Sequence, residues 1–306
     1  MTTTPLLVCV VGPTAIGKTA LGIALAKHFS TEIISADSRQ FYKEMTVGTA
    51  VPSSEELAAV PHHFIQDRSI FEPYNVGAFE RDALAKLNEL FQDHEIVVMV
   101  GGSGLYVDAV VKGLDTFPKV SPEIRQQLNS EFETYGIETL QQELKKKDPE
   151  YYKKVAISNH HRVIRALEII RGTGKPFSSF LNQGAAKRSF NTLYIGLTAE
   201  RALVYERINQ RVAVMIANGL LEEAKELFPH QGLNALQTVG YKELFQYFNG
   251  AITKEEAISE IKKNTRRFAK RQGTWFRKNE AITWFNYQTP VKEIIAFIEH
   301  KNANPK

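Results

Sequence analysis

Apolar residues along this chain fall into two patterns. Three short runs are apolar almost throughout: Leu6-Leu7-Val8-Cys9-Val10-Val11, residues 96–100 (IVVMV) and residues 193–197 (LYIGL). A strand covered on both faces has no polar side, so such runs predict buried strands of a parallel sheet. Glu32-Ile33-Ile34 and His63-Phe64-Ile65 are shorter candidates. Between these runs apolar positions recur at helical spacing, as over residues 76–91 and in Ala20, Leu21, Ile23, Ala24, Leu25 and Ala26. Strands alternating with helices predict an α/β parallel sheet with right-handed crossovers. From about residue 121 to residue 183 no strand-like run occurs. Leu128, Phe132, Leu140, Leu144, Val163, Ile164, Leu167 and Ile170 recur at helical spacings, and Pro122, Asp148-Pro149 and Gly172-Thr173-Gly174-Lys175-Pro176 punctuate them. The pattern predicts an α/β core over residues 1–118 and 190–306, with an all-helical subdomain inserted over 119–189. Beyond the run at 193–197 the chain reads as mostly helical to its end.

The first run leads straight into Gly12-Pro13-Thr14-Ala15-Ile16-Gly17-Lys18-Thr19, which meets G-x-x-x-x-G-K-[ST] at every fixed position. Strand, glycine loop and helix make an anion site. Backbone N–H groups and the helix N-terminus face the phosphates, and Lys18 adds positive charge. The Thr19 hydroxyl suits Mg²⁺, and Thr14 adds a second hydroxyl within the loop. The alternative is a glycine-rich turn without a ligand.

Ser35-Ala36-Asp37-Ser38-Arg39-Gln40 follows the second strand candidate. The carboxyl ends of strands line the ligand crevice of an open α/β sheet. A carboxylate there would be repelled by phosphates unless it ligates a metal or accepts a proton, so Asp37 is a candidate for either. A helix N-cap is the plain alternative. A third strand-to-helix junction, Val100-Gly101-Gly102-Ser103-Gly104, offers Ser103 as a cap or ligand contact. A nucleoside triphosphatase would place a metal-holding Asp near the end of such a strand, and none is present, which argues against an ordinary ATPase. Arg207 and Arg211, four residues apart, share a helix face and suit phosphate oxygens or a surface ion pair.

Composition narrows the class. The 306 residues are 43% hydrophobic and 24% charged, ordinary for one large globular domain or two. No apolar stretch approaches the roughly 18 residues of a membrane span. The N-terminus lacks a basic segment, so the first apolar run is a core strand rather than a signal peptide. A lone Cys9 allows no internal disulfide, and a cytoplasmic protein is expected. A net charge of +4 does not itself demand nucleic acid, and its distribution says more. Lys262, Lys263, Arg266, Arg267, Lys270, Arg271, Arg277 and Lys278 fall in one stretch without an acid, interleaved with Phe268, Trp275 and Phe276. Such a helix fits a nucleic-acid backbone, with a solvated face as the alternative. His160-His161-Arg162 with Arg165 makes a second basic patch; adjacent histidines diverge on a helix, which disfavours a metal pair.

Taken together these segments resemble the tRNA dimethylallyltransferases (tRNA isopentenyltransferases). The likeness runs through GPTAIGKT at 12–19, SADSRQFYKEMTVGTAVP at 35–52, PHHF at 61–64, VGGSGLYVDAVVKGL at 100–114 and HHRVIRALEI at 160–169. It continues through GKP at 174–176, RINQRV at 207–212, VGYKE at 239–243 and TRRFAKRQGTWFR at 265–277. The resemblance implies a P-loop NTPase-like fold and transfer of a dimethylallyl group from its diphosphate to N6 of the adenosine 3′-adjacent to the anticodon. The loop Gly12–Thr19 would then hold a diphosphate leaving group, with Lys18 and Arg211 on its charge and Thr19 on Mg²⁺. Asp37 would be the general base. Ser103 stands where many members have threonine and keeps a hydroxyl for catalysis and tRNA contact. Asp37, Ser38, Arg39 and Gln40, then Arg125, His161, Arg162, Val163, Ile164 and Arg165, then Gln237, Thr238, Val239, Gly240, Tyr241 and Lys242 match tRNA-contacting segments. The single cysteine excludes the zinc finger of some eukaryotic members, so the chain resembles the short bacterial type. Its expected partners are the tRNA anticodon stem-loop and dimethylallyl diphosphate, with no membrane and a monomer as the working form. Two enzymatic rivals share the loop: an ATP-binding small-metabolite kinase and a prenyltransferase of free adenine nucleotides. A noncatalytic RNA-binding module is a third, which the intact loop and Asp37 argue against.

Overall fold

β1 (Leu6–Val11) lies at the heart of the sheet because it is apolar on both faces. In the computed structural model, which describes residues 4–181 and 187–304, all six of its residues are buried. Leu6, Val8 and Val10 pack with Leu21, Leu25, Ile208 and Ile298 on one face; Leu7, Cys9 and Val11 pack with Phe79, Leu87 and Val107 on the other. This period of two is the geometry of an extended chain. The other strands are β2 (Ile33–Ser35), β3 (His62–His63), β4 (Ile96–Gly101), β5 (Asn191–Thr198) and β6 (Ile282–Asn286). They pair in the order β3-β2-β4-β1-β5-β6, and every pairing is parallel. Val8 lies opposite Val98 on one side and Leu193 on the other.

Helices α1 (Lys18–His28), α2 (Ser54–Ala59), α3 (Val76–Asp93) and α4 (Gly104–Lys112) come first. α5 (Pro122–Tyr135), α6 (Ile137–Lys147), α7 (Pro149–Lys154) and α8 (His160–Thr173) follow. After β5 come α9 (Arg201–Ala217), α10 (Leu220–Leu227), α11 (Tyr241–Phe248), α12 (Lys254–Phe276) and α13 (Val291–Ala303). Among the described residues no helix is long and apolar enough to cross a membrane.

Two expectations are corrected. β6 falls in a region expected to be mostly helical, where no strand was expected; its residues ITWFN are a short run of strand formers that pairs with β5, which lies 84 or more residues earlier. The candidate strand at residues 63–65 is instead His62–His63, because Phe64 turns to φ +64° and sets its ring against Phe79. β1 keeps its expected bounds, and the ends of β2, β4 and β5 differ from expectation by no more than two residues.

The chain divides into two compact units, Met1–Lys112 with Arg188–Lys306, and Gly113–Lys187. Residue 183, where the helical pattern of the sequence ends, lies outside the described residues. Among its described residues the second unit has helices and no strand. Leu128, Leu140, Leu144, Val163, Ile164, Leu167 and Ile170 form its core. Its buried Asp148 accepts from Tyr151 N at 2.9 Å and Ser178 N at 2.7 Å, tying the start of α7 to the segment after α8. Arg171 forks between Glu131 and Glu143, joining α8 to α5 and α6. Charged groups are rarely withdrawn from water unless paired in this way.

Candidate active site

The phosphate loop turns where β1 ends. A Cβ on Gly12 (φ +143°) would stand 2.7 Å from the Leu197 carbonyl oxygen of β5, so only glycine lets the chain pass that close. Ala15 and Gly17 also have positive φ. α1 then starts at Lys18 with no side chain capping it. Its first N–H groups therefore remain available to an anion. Lys18 Nζ donates to Pro13 O at 2.8 Å. Burial, then the neighbouring Arg211, lower its pKa to about 8 against the opposing pull of Asp37. Burial and Arg207 lower that of Arg211 as well, against Asp37 and Glu56. Cations crowded to this degree repel one another, and a bound anion relieves the repulsion. α9 supplies both arginines: Arg207 Nε donates to Ala15 O at 2.8 Å, and Arg211 donates to Thr14 Oγ1 at 3.2 Å.

Asp37 follows the carboxyl end of β2. Its Oδ1 accepts from Arg39 N at 3.0 Å, closing a turn. No helix follows, so the N-cap alternative is set aside. Ser103, expected as a catalytic hydroxyl and RNA contact, lines neither of the two cavities described below. Its Oγ accepts from Ser38 N at 3.0 Å and donates to Ser38 Oγ at 3.1 Å, bracing the Asp37 turn. Arg39 donates to the carbonyls of Asn234 and Ala235, and Gln40 to that of Ala50, so both side chains are tied into the protein.

Asp37 sits where two cavities meet. One, of about 630 Å³, is lined by residues 14–20 of the phosphate loop and its helix and by Val47, Val51, Pro52 and Ile65. It has a phosphate end and an apolar side. The other, of about 420 Å³, is lined by Gln237, Thr238, Val239, Gly240, Lys242, Phe268 and Arg271. Thr14, Asp37, Thr49, Ala50, Arg211 and Met215 line both. The arrangement can hold an anion and an apolar chain on one side and a polar or aromatic acceptor on the other, with a carboxylate between them.

Several residues expected at an RNA surface face inward. Tyr241 is 0% exposed and gives its hydroxyl to Glu223, so the 237–242 segment presents other side chains to the second cavity. Val163 and Ile164 belong to the core of the helical unit, because on α8 they lie on the face opposite His161, Arg162 and Arg165. Those three are exposed. His160 stacks on Phe132 at 4.6 Å, and Arg125 and Arg165 both bind Glu168. The expected basic face is present in Arg267, Lys270 and Arg271 on α12 and in Arg277 and Lys278 just past its end, all exposed. Lys263, however, is held by Glu260 at 2.7 Å, Arg266 by Asn209, and Phe276 is in the core.

One functional residue went unnoticed in the sequence. Gln272, buried on α12, accepts from Thr14 N at 2.8 Å and donates to Gly102 O at 3.0 Å, joining the phosphate loop to the β4–α4 turn. Its only sequence signal is its spacing from Ala269 and Phe276 on the inward face of an otherwise cationic helix.

The IPP transferase family model matches residues 40–279. The chain is 61% identical over 295 residues to the tRNA dimethylallyltransferase of Christiangramia forsetii, covering 96% of this chain and 98% of that one. It is 56% identical to that of Flavobacterium johnsoniae, covering 95% and 96%. Among solved structures it is similar to the tRNA isopentenylpyrophosphate transferase of Bacillus halodurans, with TM-score 0.72, 39% identity and coverage of 97% and 96%. It also matches a eukaryotic dimethylallyltransferase acting on tRNA, with TM-score 0.85, 25% identity and coverage of 99% and 80%. A phosphate loop without a following metal-binding acid, Asp37 between two cavities and this full-length similarity agree: the chain belongs to the IPP transferase family.

Proposed function

We propose that this protein transfers the dimethylallyl group of dimethylallyl diphosphate to N6 of the adenosine 3′-adjacent to the anticodon of a tRNA, releasing diphosphate. The placement of Asp37 between an anion-binding cavity and an acceptor cavity carries this reading. Adenine N6 is a poor nucleophile because its lone pair is delocalised into the ring. Asp37 accepts the N6 proton as the C–N bond forms and the allylic C–O bond breaks. The charge left on the diphosphate is met by Lys18, Arg211 and the N–H groups of the loop from Gly12 to Thr19. The donor's five-carbon chain rests on Val47, Val51 and Ile65.

The residues present fit Mg²⁺. The Thr19 hydroxyl lines the first cavity and has no hydrogen-bond partner among the described residues. Mg²⁺ suits such a site because it takes few protein ligands when substrate phosphates and water complete its shell. Bound there, it would add positive charge at the leaving group.

The acceptor base must leave its stack, which an anticodon loop permits more cheaply than a duplex. The exposed cations of α12, and His161, Arg162, Arg165 and Arg125 on the helical insertion at 119–189, are the surfaces we assign to the tRNA backbone. We take a monomer acting in the cytoplasm as the working unit. The test is incubation with labelled dimethylallyl diphosphate and either an anticodon stem-loop or AMP. Label on the stem-loop adenosine alone is expected. Label on AMP alone would make the protein a nucleotide prenyltransferase, and phosphoryl transfer from ATP without prenyl transfer would make it a kinase.

A further inference from the structure

Glu223 lines neither cavity, yet its carboxylate receives four hydrogen bonds. Oε2 accepts from the amides of Thr46 and Val47, both at 2.8 Å, and Oε1 accepts from the Gly48 amide at 2.8 Å and from Tyr241 Oη at 2.7 Å. Three consecutive amides converging on one anion form a nest of the kind that elsewhere binds phosphate. Here a side chain from α10 fills it, and bonds to an ionised acceptor are the strong ones. The loop is seated on its far side too. A Cβ on Gly48 would come within 2.5 Å of the Tyr241 ring, so the backbone lies directly on that ring. Gln40 Nε2 donates to Ala50 O at 2.9 Å, and Thr49 Oγ1 donates to Met45 O at 2.6 Å.

The loop held in this way is a shared wall. Thr46, Val47 and Val51 face the first cavity, Gly48 the second, and Thr49 and Ala50 both, beside Asp37. A shift of this loop changes the space at the far end of the donor chain and leaves the amides of residues 12–19 untouched. We propose that Glu223 is a positioning residue that fixes the loop at residues 46–51 as the wall against which the prenyl chain ends, and so sets the length of chain the donor cavity accepts. The proposal rests on the reading of the first cavity as the dimethylallyl diphosphate site.

The test compares wild type with Glu223→Gln, using dimethylallyl diphosphate, its ten-carbon homologue geranyl diphosphate, and pyrophosphate. The substituted amide turns an N–H donor toward backbone N–H donors, leaving at least one unpaired. Roughly a tenfold rise in KM for dimethylallyl diphosphate is expected. The ratio of kcat/KM for geranyl over dimethylallyl diphosphate should rise by roughly tenfold as well, because a wall that yields removes the exclusion of extra methylenes. Pyrophosphate affinity should stay within about twofold of wild type, since the phosphate loop keeps its own contacts. A ratio of two donors is independent of the fraction of enzyme folded, so a merely structural residue would not move it. Tyr241→Phe keeps the carboxylate and removes one donor; it should shift the ratio in the same direction by less, and it carries the comparison if Glu223→Gln does not fold. An unchanged ratio in the folded variants, or pyrophosphate affinity falling in step with that for dimethylallyl diphosphate, overturns the proposal. If wild type transfers nothing to the stem-loop, the functional reading fails instead, and equilibrium binding of the same three ligands still decides the role of Glu223.

Discussion

Lys18 is the side chain whose chemistry depends most on its surroundings. Its ammonium is buried against Arg211, so its proton is held only up to about pH 8 in the free protein, against an ordinary lysine value of 10.5. Because the folded pKa is lowered, the unfolded chain binds the extra proton between these values. This group therefore opposes folding at low pH, and stability rises as pH passes from about 8 to 10.5. Donor binding runs the other way, since the diphosphate requires the protonated form. Affinity for dimethylallyl diphosphate should be level up to about pH 8 and then fall by up to roughly tenfold per pH unit. Calorimetric titration from pH 7 to 10 would show this, and affinity that stays level to pH 10 would contradict it. At Asp37, replacement by Asn keeps an oxygen for the Arg39 amide and removes the carboxylate we propose as the base. Single-turnover rate should fall by roughly 10²–10⁴-fold with little change in substrate affinity. A rate within a few-fold of wild type would leave Asp37 as a turn residue only.

Among the elements, α12 has two faces with different tasks. Ala257, Ile261, Ala269, Gln272 and Phe276 point inward, and Gln272 reaches the phosphate loop and the β4–α4 turn. The outward face is cationic. If it follows an RNA backbone, the affinity for tRNA should weaken with salt by roughly 0.7–0.9 log units per log unit of salt for each phosphate contact. Arg267 and Lys270 are the pair to neutralise, because Lys263 already has its charge met by Glu260. Arg267→Gln with Lys270→Gln should flatten the salt slope by about one to two contacts and leave the donor KM unchanged. Parallel salt series of equal intercept for variant and wild type would mean that this face is merely solvated.

For the whole molecule, the residues lining both cavities belong to the unit that holds the sheet. That unit is closed near the break in its chain, where Arg188 donates to Ala109 O at 2.8 Å and pairs with Glu80. Replacing residues 113–187 by a short Gly/Ser linker should therefore keep donor affinity within a few-fold. Transfer to tRNA should be lost, because Arg125, His161, Arg162 and Arg165 go with the insertion. Donor binding measured beside transfer separates the two outcomes. Loss of both would show that the sheet unit depends on the insertion to fold.

Whatever rests on a run of neighbouring residues was legible in the sequence. The strands β1, β4 and β5 are apolar because both their faces are covered, and the phosphate loop is a spacing within eight residues. Asp37 could be singled out because it follows a strand, and α12 because its cations cluster. Contacts between distant segments decided the rest. Thr14 meets Gln272 across 258 positions, Thr46 meets Glu223 across 177, and Ser38 meets Ser103 across 65. No local pattern distinguishes a glutamate that holds a remote loop from one on a solvated helix, or shows that Ser103 bonds the turn at Ser38. Tyr241, Val163 and Ile164 lie in segments expected at the RNA, yet their side chains point inward because helix and turn geometry set direction residue by residue. The chain's own order therefore determined which chemical groups are present, and only the packing of remote segments determined which side chains face the two cavities.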